Sequence, residues 1–205
     1  MKQTHAGQPE RVIKHALWLE YATVGWNVVE AFVAISAGVL AGSIALVGFG
    51  FDSIIEVTAA GILIWRLRCE LNCLHNTHEQ AEQKALRFIG ITFFILAAYV
   101  AYEAGTMLWH GKTPNTSVAG LALAILSAIV MPFLGLRKRQ IAKRLGSKAL
   151  EADAMETLIC AYLSLALLLG LGLNAWLGWW WADPVAALAM LPLILHEGKE
   201  ALTDS

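Results

Sequence analysis

Charged side chains are scarce in this sequence of 205 residues, because Asp, Glu, Lys and Arg together make up only 15% of it. Soluble domains contain about 25% charged residues, whereas this chain is 58% hydrophobic, so the composition excludes an ordinary soluble domain. An excess of basic charge is also absent, since the formal net charge is -1. That balance excludes the strongly basic surfaces that bind nucleic acid or anionic lipid. The composition is typical of a membrane protein embedded in the lipid bilayer.

Cysteine is equally rare, with Cys69, Cys73 and Cys160 as the three in the chain. This odd number predicts no disulfide framework. No small-residue cleavage site precedes the first apolar run, which is also too long for a secretory signal peptide, so we expect no cleaved leader. The sequence offers no pairing of a nucleophile with a base. We therefore predict a protein that is not an enzyme and uses no organic cofactor.

Six apolar runs of membrane-crossing length fill most of the sequence. They cover residues 16–40, 43–65, 85–109, 117–136, 149–176 and 184–202. We predict an all-α membrane protein, a six-helix transmembrane bundle in which residues 1–205 form a single transmembrane domain. Asp183 and Pro184 are predicted to be the N-cap and first residue of the sixth helix.

The basic residues are distributed asymmetrically along the chain. Every Lys and Arg except Lys112 falls near one of the termini or in the loops after the second and fourth spans. The positive-inside rule then predicts that both termini are cytoplasmic. The expected location is the plasma membrane, which would be the inner membrane of a bacterial cell. The basic run from Arg137 to Arg144 is predicted to anchor the chain at the lipid headgroups.

Acidic side chains interrupt the apolar runs at membrane depth, where each costs about 2.5–3.5 kcal/mol to insert. Asp52 and Glu56 are four residues apart and share one face of the second helix, as Glu156 and Cys160 do on the fifth. We expect no Lys or Arg at these depths. Carboxylates without a basic partner can hold protons or bind a cation, and alternation between the two describes an exchanger.

Two donors on each of two facing helices supply four ligands, a number that suits tetrahedral zinc. The predicted metal ligands are Asp52, Glu56, Glu156 and Cys160. Two further acids, Asp153 and Glu30, are candidates for an additional metal or proton site. An accessory cytoplasmic metal site could be formed by Cys69, Cys73, His75 and His78. Their spacing matches no standard zinc-finger pattern, so a solvated loop or an extension of the second helix is the favoured interpretation.

Three segments resemble helices two, five and six of the cation diffusion facilitator family. They read A-G-S-I-A-L-V-G-F-G-F-D-S-I-I-E, A-L-E-A-D-A-M-E-T-L-I-C and W-A-D-P-V-A-A-L-A-M-L-P-L-I-L-H-E-G. On the family pattern, the metal ligands fall on Asp52, Glu56, Glu156 and Cys160. The resemblance implies that a homodimer exports zinc or a related divalent ion from the cytoplasm by proton exchange. It also implies a transmembrane-only relative, without the usual cytoplasmic C-terminal domain.

The sequence departs from the family pattern at the site itself. No histidine is present there, Phe49 replaces an acid, and Cys160 stands where a carboxylate is usual. The ligands suit zinc, cadmium or cobalt if the thiol coordinates, and manganese or iron if Glu30, Asp153 or water replaces it. An alternative function is that of a non-transporting membrane scaffold or metal sensor that retains the transporter-like bundle.

Overall fold

The computed structural model describes residues 7–71, 79–111, 115 and 117–203. Within these ranges the regular elements are six α-helices and no strand. The helices are α1 (Gly7–Ala41), α2 (Ile44–Leu71), α3 (Glu79–His110), α4 (Val118–Leu145), α5 (Lys148–Leu177) and α6 (Ala182–Thr203). Each predicted span corresponds to one helix, so the prediction of an all-α, six-helix fold is confirmed.

Four of the helices are long and apolar enough to cross a membrane. The qualifying segments are Arg11–Ala41, Ile44–Arg68, Val118–Leu145 and Asp153–Leu177. Over the residues described, α3 and α6 are not among these segments, so their crossing of the membrane stays a prediction. The chain is a multi-pass membrane protein.

The centre of the bundle is built from α1, α2, α4 and α5. Helix α1 packs against α2 and α4, while α4 also packs against α5. Helix α3 packs chiefly against α6. The buried core joins these helices through Phe49, Val100, Met131, Leu163 and Met190. A single apolar interior thus surrounds the polar groups that the helices carry.

Tight glycine turns keep neighbouring helices side by side. Gly146 and Gly178 end α4 and α5 with left-handed φ angles of 63° and 64°, a conformation that strains other residues. The N–H of Gly146 donates to the carbonyl of Ala142, and Ser147 opens α5 by accepting a hydrogen bond from the N–H of Leu150. The two-residue connection therefore pairs one end carbonyl of α4 and one end N–H of α5.

Gly50 allows α1 and α2 to approach closely. A Cβ atom at this position would lie 2.7 Å from Cγ1 and 3.0 Å from the backbone nitrogen of Ile35. Small residues permit such close packing between membrane helices. The contact lies six residues before Glu56 on α2 and five after Glu30 on α1. It therefore holds the acid-bearing stretches of the two helices together.

Asp183 has a different role from the predicted one. Helix α6 begins at Ala182, so Asp183 lies in its first turn. Its buried carboxylate accepts hydrogen bonds from Ser43 Oγ at 2.5 Å and from the N–H of Ile44 at 3.1 Å. These groups open α2, whose first N–H groups have no partner within their own helix. Asp183 therefore caps α2, and the prediction that it caps α6 is wrong.

Lys138 is buried in the bundle, although the whole run from Arg137 to Arg144 is predicted to lie at the headgroups. Its ammonium is 2.9 Å from Glu20 Oε2 and 2.5 Å from Asp153 Oδ2. The headgroup prediction is wrong for Lys138, and so is the expectation that the membrane acids have no basic partner. The reason is that α4 continues through the basic run, so helical periodicity turns one lysine inward.

Candidate metal centre

Three buried side chains with metal-binding groups converge inside the bundle. Glu30 on α1, Glu56 on α2 and Cys160 on α5 each offer one ligand atom within 4.8 Å of the other two. Their exposed fractions are 0%, 5% and 1%. Tetrahedral zinc, with ligand distances of about 2.0–2.3 Å, places two ligand atoms of one ion about 3.3–3.8 Å apart. An approach of about 1 Å between the ligand atoms would therefore let one ion contact all three side chains, which we term the acid–thiol cluster.

Two serine hydroxyls hold the carboxylate of Glu30. Ser53 on α2 can donate its one hydroxyl proton to Glu30 Oε2 at 3.2 Å or to the carbonyl of Phe49 at 3.1 Å, and Ser127 on α4 donates to Glu30 Oε1. Glu30 and both serines are fully buried. Hydroxyl donors stabilise a charged carboxylate and restrict its rotation. Glu30 is thus oriented by two neighbouring helices.

Glu56 is oriented by the side chain of Asn27. The Nδ2 group of Asn27 donates to Glu56 Oε2 at 2.8 Å. The Oδ1 atom of Asn27 is buried and has no hydrogen-bond partner in the part of the chain that the structure describes. The sulfur of Cys160 also lies within 4.8 Å of a carboxylate oxygen of Glu56. Glu56 therefore links α1, α2 and α5 at the cluster.

The structure brings together two of the four predicted ligands, Glu56 and Cys160, and adds Glu30, which was predicted only as an additional candidate. Asp52 lies one turn before Glu56 on the same face of α2 and is buried. Glu156 is half-buried one turn before Cys160. Neither Asp52 nor Glu156 belongs to the set of ligand atoms within 4.8 Å of one another.

The other predicted candidates lie elsewhere. Asp153 contacts Lys138 and is not part of the acid–thiol cluster. The backbone of Cys69 lies in the last turns of α2. Cys73, His75 and His78 fall outside the described residues, so the accessory cytoplasmic site stays a prediction.

Sequence reasoning missed the groups that support the cluster, chiefly Ser53 and Ser127. Serines in apolar helices commonly bond to their own backbone, so residue type alone gives no signal. Ser53 does precede Glu56 by three residues, a spacing that shares a helix face. Ser127 has no such sequence signal, because its partner Glu30 lies on a different helix, α1.

The sequence profile described as the cation efflux transmembrane domain matches residues 21–205. The chain belongs to this family. The matched region includes every member of the acid–thiol cluster. The resemblance to cation diffusion facilitators is thereby confirmed, and the cation efflux family is a family of transporters.

Three relatives of this chain have low sequence identity to it, but the similarity extends over most of the chain. Transmembrane protein 163 of Xenopus laevis is 24% identical over 194 residues, which cover 93% of this chain and 67% of the relative. An uncharacterized transporter of Synechocystis is 25% identical over 191 residues, 90% of this chain and 62% of the relative. A cadmium, cobalt and zinc/H⁺-K⁺ antiporter of Bacillus velezensis is 26% identical over 213 residues, 98% of this chain and 63% of the relative. The chain thus spans about two thirds or less of these relatives.

Proposed function

We propose that this chain carries a divalent metal cation across the membrane and that the acid–thiol cluster holds the cation on its way. The observation that carries the proposal is the convergence of Glu30, Glu56 and Cys160 from three helices within 4.8 Å. Ionisable groups inside a membrane protein are expensive and mark ion or proton pathways. The family and the printed name of the Bacillus velezensis antiporter support a metal cation as the substrate.

Zinc is the substrate that this donor set fits best. Two carboxylates and a thiolate match the oxygen and sulfur ligands of zinc, and a tetrahedral ion needs one further ligand. We assign that fourth position to Asp52, because it is a buried carboxylate one turn before Glu56 on the same face of α2. Cadmium and cobalt are the next candidates, because a thiolate favours softer ions over manganese or ferrous iron.

The proposed mechanism couples metal movement to protons. Carboxylate and thiol ligands must lose their protons to bind a metal ion, so metal entry expels protons and protonation releases the metal. The carboxyl groups of Glu30 and Glu56 are held in place by hydrogen bonds from Asn27, Ser53 and Ser127. We propose that these bonds keep the two groups close together both with and without a bound metal ion. A proton gradient would then drive export of the metal from the cytoplasm.

The proposed orientation has both termini in the cytoplasm and the bundle in the plasma membrane. The distribution of Lys and Arg supports it. Trp109 and Trp176, near the ends of α3 and α5, are 87% and 90% exposed, as expected for indoles at a membrane interface. We also propose a homodimer, on the strength of the resemblance to cation diffusion facilitators.

Flux into lipid vesicles tests the proposed function. The full chain is reconstituted into vesicles that contain a metal-sensitive dye, a pH gradient is imposed, and zinc or cadmium is added outside. We expect the dye to report metal entry only when the pH gradient is present. The Glu56→Gln variant should show no metal entry. Glu103→Gln, a half-buried acid on α3, is the matched control and should retain flux. Flux that survives in Glu56→Gln would refute the site. Metal binding without any flux would favour the sensor function.

A further inference from the structure

A second buried polar cluster lies at the meeting of α1, α4 and α5. The ammonium nitrogen of Lys138 is 2.9 Å from Glu20 Oε2, 2.5 Å from Asp153 Oδ2 and 3.4 Å from Thr157 Oγ1. Lys138 and Glu20 are 0% exposed and the side chain of Asp153 is 12% exposed. We term these four residues the lysine cluster. The proposed metal pathway gives them no role.

The lysine cluster is separate from the acid–thiol cluster. Glu20 precedes Glu30 by ten residues on α1, which is roughly 15 Å along a helix, and Asp153 precedes Cys160 by seven residues on α5, which is roughly 10 Å. Both displacements are toward the N-terminal ends of their helices. The lysine cluster therefore lies roughly 10–15 Å from the acid–thiol cluster along the bundle, toward the N-terminal ends of α1 and α5.

The ammonium of Lys138 has three N–H donors, and three oxygen atoms surround it, one each from Glu20, Asp153 and Thr157. Two carboxylates face one positive charge, which leaves the cluster with one net negative charge when both acids are ionised. Glu20 Oε1 is buried and has no hydrogen-bond partner among the described residues. Buried charges and acceptors are normally fully paired, because an unpaired one is costly. The three oxygens are thus arranged as a cation site, and Glu20 Oε1 is one further acceptor beside it.

We propose that Glu20, Asp153 and Thr157 form a second cation site, suited to a monovalent ion of the ammonium or potassium class, that Lys138 fills with its own ammonium group. The lysine acts as a tethered cation and excludes free ions from this level of the bundle. Three oxygen atoms from α1 and α5 surround Nζ of Lys138. Removal of the lysine side chain would therefore leave a site for a free ion. This inference concerns binding alone and does not depend on metal transport.

Thermal unfolding of Lys138→Ala tests the inference. The purified full chain is compared in ammonium chloride, potassium chloride and N-methylglucamine chloride at equal ionic strength. In N-methylglucamine, which is too large for the site, loss of the buried partner should lower Tm on the order of 10 °C. Ammonium or potassium should then raise the Tm of Lys138→Ala as its concentration increases, because it binds the folded state. The wild type should show no difference between the three salts.

Lys143→Ala is the matched control, because Lys143 is an exposed lysine on the same helix. It should keep the wild-type Tm in all three salts. Equal Tm values of Lys138→Ala in the three salts would overturn the inference. If Lys138→Ala is folded only when purified in ammonium or potassium, the inference is supported. If it fails to fold in every salt, no free ion replaces the ammonium and the inference is wrong.

Discussion

The hydrogen bond from Asn27 to Glu56 provides a sharp test of how the metal site is organised. Asn27→Ala removes a 2.8 Å bond to a buried carboxylate. Hydrogen bonds to charged groups contribute about 1.5–3 kcal/mol, and each 1.4 kcal/mol corresponds to about tenfold in affinity. The bond both aims Glu56 and stabilises the deprotonated form that metal binding requires. We expect zinc to bind about 10–100-fold more weakly, the range observed when groups that orient metal ligands are removed.

The assay is equilibrium binding of zinc to the purified protein at fixed pH, with Gly25→Ala as the matched control. Gly25 lies two residues earlier on α1, and a Cβ there would have no atom within 4 Å. Its substitution should leave zinc affinity unchanged. If folded Asn27→Ala binds zinc as tightly as Gly25→Ala does, Asn27 does not organise the site and the reasoning fails.

Three further predictions concern single side chains. Cys160→Ser should weaken cadmium binding more than manganese binding, because the substitution replaces a soft thiolate by a hydroxyl. An unchanged ratio of the cadmium and manganese Kd values would show that the thiol does not coordinate. Ser127→Ala removes one of two hydroxyl donors to Glu30, so zinc affinity measured by equilibrium dialysis should fall about tenfold; an unchanged affinity would contradict this. Asp183→Ala removes the cap of α2 and should lower the free energy of unfolding by about 0.5–2 kcal/mol. Its Tm should fall by about 1–8 °C with zinc affinity intact, and an unchanged Tm would refute the capping role.

The six helices were predictable because membrane insertion imposes a simple physical rule on sequence. A span needs about 20 consecutive apolar residues, and its backbone groups must pair within the helix. Residues 149–176, for example, predict α5 almost to its ends at Lys148 and Leu177. The packing of α3 against α6 was not predictable, because lipid-facing and protein-facing surfaces are equally apolar.

The acid–thiol cluster was predictable only in part. The spacing of Glu56 from Asp52, and of Cys160 from Glu156, identifies a shared helix face but not which residue of each pair reaches the neighbouring helices. In the structure, Glu30 joins Glu56 and Cys160 instead. That choice depends on how α1 packs against α2, which no local pattern encodes.

Lys138 illustrates a similar limit on sequence reasoning. It sits in a basic run of the kind that marks the headgroup region, and its neighbours Arg137 and Arg139 are exposed as such a run predicts. Its own burial depends on carboxylates from α1 and α5 that are distant in sequence. Only the assembled bundle reveals that this lysine has an acidic environment.

Ultraviolet absorption of the protein loaded with cadmium tests directly whether Glu30, Glu56 and Cys160 bind one metal ion. In a Cys69→Ser, Cys73→Ser background Cys160 is the only cysteine left, so any cadmium–thiolate charge-transfer band reports on Cys160 alone. The account predicts one bound cadmium ion with this band, and loss of the band when Glu56→Gln or Glu30→Gln is added. Cadmium that binds without a thiolate band, or a band that persists with full affinity in both glutamine variants, would contradict a site formed by Glu30, Glu56 and Cys160.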